Sequence, residues 1–155
     1  MTARRLYVSS LTGPISSQAK KNNSSSLVDF IEAAVGSENG HGQILDPGLG
    51  NNAYRIAPST TGATEIISID ALLQRYGEPE FAPFIVKIDI EGFESDLFSK
   101  NVEWIEKFPL LIIELHDWML PRSRSSSSFV QSIARLDRDF VYHGETVFSI
   151  SNTLL

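Results

Sequence analysis

Two short apolar runs dominate the hydrophobic pattern. The first, Phe84-Ile85-Val86-Lys87-Ile88-Asp89-Ile90, is apolar and largely β-branched except for Lys87 and Asp89, and it leads into Glu91-Gly92. Such a run reads as a strand buried on both faces that turns into a helix. The second, Leu110-Leu111-Ile112-Ile113-Glu114-Leu115-His116-Asp117, repeats the design. Side chains alternate along a strand, so Lys87, Asp89 and Glu91 share one face of the first run, and Glu114 and His116 share one face of the second. Between them lie roughly twenty residues of helical pattern, the span of a crossover joining parallel strands. Ligands of open parallel sheets sit beyond the carboxyl ends of the strands. Asp89, Glu91, Glu114, His116 and Asp117 are therefore expected at one crevice.

The rest of the chain is patterned in shorter pieces. Leu6-Tyr7-Val8 suits a short strand, and residues 15–21 suit a short helix in a polar segment. Residues 27–35 read as one strand closed by Gly36. Gln43-Ile44-Leu45 and Ala53-Tyr54-Arg55-Ile56 fit a hairpin. Residues 65–69 form an extended entry to a helix carrying Leu72, Leu73 and Tyr76, capped by Ser68 or Asp70 and stopped at Gly77. Phe93, Leu97, Val102, Ile105 and Phe108 mark the inward face of two helical pieces broken at Ser99-Lys100-Asn101. Ser128 with Gln131 forms a capping-box pattern, and Phe129, Ile133, Leu136 and Phe140 follow at helical spacing. Val141-Tyr142 and residues 146–150 make a last pair of strands around Gly144.

At 155 residues and 42% hydrophobic content the chain has enough apolar material for one domain. A net charge of −6, with no basic cluster, argues against nucleic acid as a partner. The absence of cysteine excludes disulfides and thiolate metal sites and fits a cytoplasmic protein. No apolar run reaches the roughly 18 residues of a membrane span.

Four stretches together resemble the FkbM-type family of S-adenosylmethionine-dependent methyltransferases. Lys87-Ile-Asp-Ile-Glu-Gly-Phe-Glu94 looks like that family's lysine–aspartate–x–glutamate–glycine–x–glutamate strand end, and residues 109–116 like its following strand ending in glutamate–x–histidine. Ala33-Ala34-Val35-Gly36 and Ile67-Ser68-Ile69-Asp70 are similar to two further family stretches. The resemblance covers roughly residues 27–150. It implies an α/β, mostly parallel, Rossmann-like sheet over residues 27–155, with residues 1–26 as a separate N-terminal segment. It further implies transfer of a methyl group to the hydroxyl of a small molecule or glycan, with S-adenosylmethionine touching Ala34, Val35 and Asp89. The family's glycine-rich loop and the acidic second-strand end are absent from this sequence. The chain thus looks like an N-terminally truncated form, the later two-thirds of such an enzyme. Weak or absent cofactor binding is the expectation, and so is a homodimer formed through an open sheet edge near residues 27–35. The same gap favours a competing reading, a non-catalytic binding or assembly module.

Within the crevice, Glu114 or His116 is expected to take the hydroxyl proton, since histidine titrates near neutrality. Asp89 orients the acceptor or the cofactor, and Glu91 divides between catalysis and helix capping. Lys87 is costly to bury alone and should pair with Asp89 or Glu114. Glu94 reads as a first-turn helix residue. A metal reading of Asp89, Glu91, Glu114 and His116 lacks a closely spaced histidine pair, so no metal is expected.

Overall fold

The computed structural model describes residues 5–9, 28–45, 55–76, 82–90, 93–118 and 121–154. The N-terminal strands β1 (Arg5–Ser9) and β2 (Val28–Glu32) pair in parallel. The chain breaks at Ala33 and re-enters a different sheet as β3 (Ala34–Gly36), so the single strand expected over 27–35 is two. β1 lies along β2, so the β2 edge facing it, expected to be open, is paired. The helix expected over 15–21 lies outside the described residues.

The second sheet has the order β3, β6 (Thr64–Ser68), β4 (Gly40–Leu45), β5 (Arg55–Pro58). β4 and β5 are the expected hairpin, paired antiparallel from Gly42↔Pro58 to Leu45↔Arg55. β6 runs directly into α1 (Ile69–Tyr76). Ser68 caps it: its hydroxyl accepts a hydrogen bond from the Ala71 amide at 3.2 Å. Asp70 in the first turn and Arg75 in the last complement the helix dipole.

The third sheet carries the two apolar runs. Its order is β7 (Ile85–Ile88), β8 (Leu110–Glu114), β10 (Thr146–Ser151), β9 (Arg138–His143). β7 and β8 are adjacent and parallel, with Lys87 opposite Ile112, as the sequence predicts. They are joined by α2 (Glu94–Leu97) and a 3₁₀ turn at Glu103–Lys107, separated by Asn101 in the left-handed region at φ 53°. α3 (Ser127–Ile133) follows β8. Its hydrophobic face stops at Ile133, and Phe140 belongs to β9 instead of continuing the helix. The Ser128–Gln131 capping box does not form: Ser128 lies inside the helix, and its hydroxyl donates to the Glu94 carbonyl. The core is built on the faces of β8 and β10 by Leu111, Ile113 and Val147 against Leu97, Trp104 and Phe129. Phe98 packs edge-on to Phe129, with ring centroids 5.0 Å apart.

Two expectations are corrected. The first is the mostly parallel Rossmann-like sheet. Among the described residues three strand pairings are parallel and four antiparallel, both four-stranded sheets are mixed, and the helices are few and short. The physical reason is the connections. Only the two residues Gly144 and Glu145 separate β9 from β10, and so short a turn forces antiparallel strands. β10 then takes the place beside β8. The second correction is that β7 is not buried on both faces. Among the described residues it is an edge strand, with Phe84 and Ile85 59% and 51% exposed and only Ile88 buried.

Candidate functional site: a buried carboxylate–imidazole pair beneath an acidic rim

The parallel pair β7–β8 brings the ends of both motifs to one place. Lys87 opposes Ile112, so the chain passes Asp89 on one side and Glu114 to His116 on the other. The Lys87 ammonium lies 3.0 Å from Asp89 Oδ2 and 2.9 Å from Glu114 Oε1. The expected pairing therefore forms with both carboxylates at once. Its hydrogen bond to Glu114 is the main cause that holds the Lys87 pKa above its ordinary 10.5, with Asp89 adding to it and desolvation opposing both.

His116 follows β8 and is buried, its side chain only 5% exposed. Its Nδ1 lies 2.5 Å from Glu94 Oε1. With Glu94 ionised, Nδ1–H donates to it, and the other ring nitrogen, Nε2, lies 3.8 Å from Asp89 Oδ1. Glu94 is fully buried at the start of α2, and its second oxygen, Oε2, has no hydrogen-bond partner among the described residues. Glu94 is thus more than the first-turn residue it was expected to be: it fixes the imidazole. Its signal was present in the sequence, as the last glutamate of the 87–94 motif, but its burial depends on α3 closing over it. Ser128 Oγ on α3 donates to the Glu94 carbonyl at 3.3 Å.

Asp117 does not point to chemistry. It anchors the chain entering α3 by accepting from the hydroxyls of Ser125 and Ser126 and from the Ser126 amide. These bonds, that of the Ser126 hydroxyl foremost, hold its carboxyl below the ordinary 3.8. Glu91 lies outside the described residues. Trp118 is 62% exposed.

Could the acidic rim hold a metal? One ligand atom each from Asp89, Glu114 and His116 lies within 4.8 Å of the others. Lys87 already supplies both carboxylates with a cation. The three groups lie at the spacing of a candidate cation site, with the Lys87 ammonium paired to both carboxylates.

The turn after β3, expected to touch S-adenosylmethionine, is spent on the protein itself. Ala34 is 1% exposed. A β-carbon on Gly36 would stand 2.7 Å from Ile66 Cγ2 and 3.0 Å from Asp96 Oδ2, so Gly36 is closely packed by side chains. The Ser37 amide donates to Asp96 Oδ2 at 3.0 Å, and Asn101 Nδ2 donates to the Ser37 carbonyl at 3.0 Å. Ala34, buried, and Val35, partly buried, thus lie beside α2.

No protein-family model, curated protein or solved structure matches this chain. Among the described residues, no helix is long and apolar enough to cross a membrane.

Proposed function

We propose that the chain is an acid–base catalyst acting on a hydroxyl group of a small molecule or glycan, with His116 as the base and Glu94 as the residue that positions it. The observation that carries this reading is the 2.5 Å contact between His116 Nδ1 and Glu94 Oε1, buried where the two motif strands end together. A proton held on Nδ1 leaves the electron pair on Nε2, the nitrogen that faces the acidic rim. A hydroxyl placed there gives its proton to Nε2, and Glu94 with Asp89 stabilises the imidazolium that forms. General-base assistance of this kind contributes about 10²–10⁴-fold. Lys87 keeps Asp89 and Glu114 in place and tempers their charge beside the reacting oxygen.

The acceptor of the activated oxygen's electrons follows from the motif resemblance: the methyl group of S-adenosylmethionine. The packed turn after β3 favours a second reading, in which the acid–base pair survives in a binding module that no longer holds that cofactor. Calorimetric titration with S-adenosylmethionine, followed by an assay for S-adenosylhomocysteine release with a panel of hydroxyl acceptors, separates the two. Release that falls about 10²-fold or more in Glu94→Gln supports the methyltransferase reading. No binding and no release assigns the chain to the second.

A further inference from the structure

The strongest feature outside this site is the free edge of β9. We propose that β9 pairs antiparallel with β9 of a second copy of this chain, with Val141 on the twofold axis. Phe140, Val141 and Tyr142 are 37%, 53% and 71% exposed, and among the described residues β9 has a neighbour on one side only. Three successive apolar residues on an open edge are what folded proteins usually guard with lysine or proline. The opposite edge strand, β7, carries such a guard in Lys87; β9 has none between Asp139 and His143.

The backbone decides which residues can pair outward. His143 and Thr146 close a two-residue hairpin around Gly144, at φ 60°, so they exchange hydrogen bonds with each other. Bonding alternates along the strand. Asp139, Val141 and His143 are therefore bonded to β10, while the amides and carbonyls of Phe140 and Tyr142 point to the open edge. A twofold partner must use these even-numbered residues, which leaves few registers.

Side-chain complementarity selects one register. Centred on Val141, Phe140 of each copy lies opposite Tyr142 of the other, and these two pairs exchange the hydrogen bonds. The close non-bonded positions then hold Val141 against Val141 and Asp139 against His143, a β-branched pair and two carboxylate–imidazole pairs. Centred on Tyr142, Asp139 would face Glu145, a like-charge pair. Centred on Phe140, Arg138 would be set against Tyr142, although its guanidinium is already committed inside the fold. Only the Val141 register offers each side chain a suitable partner. The interface is isologous, as a closed dimer requires, and it joins two four-stranded sheets into one of eight. β7 lies at the far edge of each sheet, so both crevices stay open.

The test is sedimentation velocity on the full chain from about 1 to about 500 μM, with circular dichroism to confirm folding. The wild type is expected to dimerise. Val141→Lys, which sets two like charges against each other on the axis, is expected to weaken association at least about tenfold. Asp139→Lys should weaken it too, and Asp139→Lys with His143→Glu should restore it by reversing both pairs. A monomer throughout the range overturns the proposal, as does a dimer indifferent to Val141→Lys. Failure of the charge-reversed pair to rescue overturns the register.

Discussion

At one end of the β7–β8–β10–β9 sheet a guanidinium, Arg138, is buried among neutral acceptors. At the other an ammonium, Lys87, lies half exposed between two carboxylates. Arg138 is 8% exposed and donates to the Ser149 hydroxyl at 2.8 Å and to the Ser149, Phe108 and Pro109 carbonyls at 2.9, 3.1 and 3.3 Å. Desolvation lowers its pKa, whereas hydrogen bonding to Glu114 raises that of Lys87. The two directions distinguish the jobs. A charge held by fixed carbonyls against its own solvation cost is a joint of the fold, tying β9 and β10 to the 3₁₀ turn and the start of β8. A charge shared by movable carboxylates beside water is part of a site that can rearrange.

Removing the Arg138 joint should have the largest effect. Arg138→Met leaves several buried carbonyls without their donor at about 1–3 kcal/mol each, so a loss of about 3–5 kcal/mol is expected in urea unfolding. A loss under about 1 kcal/mol would mean that water reaches these carbonyls and that the contrast between the two ends is false.

Glu94 stands between the extremes, a buried charge that belongs to the site. Glu94→Ala strips the His116 Nδ1–H of its acceptor and should cost about 1–3 kcal/mol by the same measurement. A gain in stability would show that the unpaired second oxygen costs more than the imidazole contact returns.

Lys87 should matter least to stability and most to its pH dependence at the alkaline end. Lys87→Met is expected to change unfolding free energy by no more than about 1 kcal/mol, because the pair is exposed and screened. The folded pKa lies above the ordinary 10.5, so the contribution is full below that value and is lost as pH rises through the folded one. Wild type and variant should differ at neutral pH and converge under strongly alkaline conditions. A difference that grows with pH would contradict the assigned pairing.

The two ends were not equally legible in the sequence. The adjacency of 84–89 and 110–115, the pairing of Lys87 with Asp89 or Glu114 and the convergence of His116 follow from strand alternation and a crossover of the right length; that Lys87 holds both carboxylates at once does not. Arg138 gave no such signal. Its neighbours Leu136 and Phe140 continue a helical spacing from Phe129, and only the tertiary pairing of β10 with β8 shows that the chain has become a strand. The same pairing changed the sheet from mostly parallel to mixed. Glu94 was visible as a motif residue, but its burial requires α3, which starts more than thirty residues later, and local pattern carries no information about that contact.

The central claim is that Glu94 holds the proton of His116 on Nδ1 and leaves Nε2 to act as the base. Nitrogen-15 NMR of the histidine side chains, read for His116 at a pH where the imidazole is neutral, tests it directly. The account predicts a protonated Nδ1 and an unprotonated, pyridine-like Nε2 in the wild type, with the tautomer preference relaxed in Glu94→Gln. A proton on Nε2 in the wild type would contradict the account, because the nitrogen facing Asp89 could then accept nothing from a substrate.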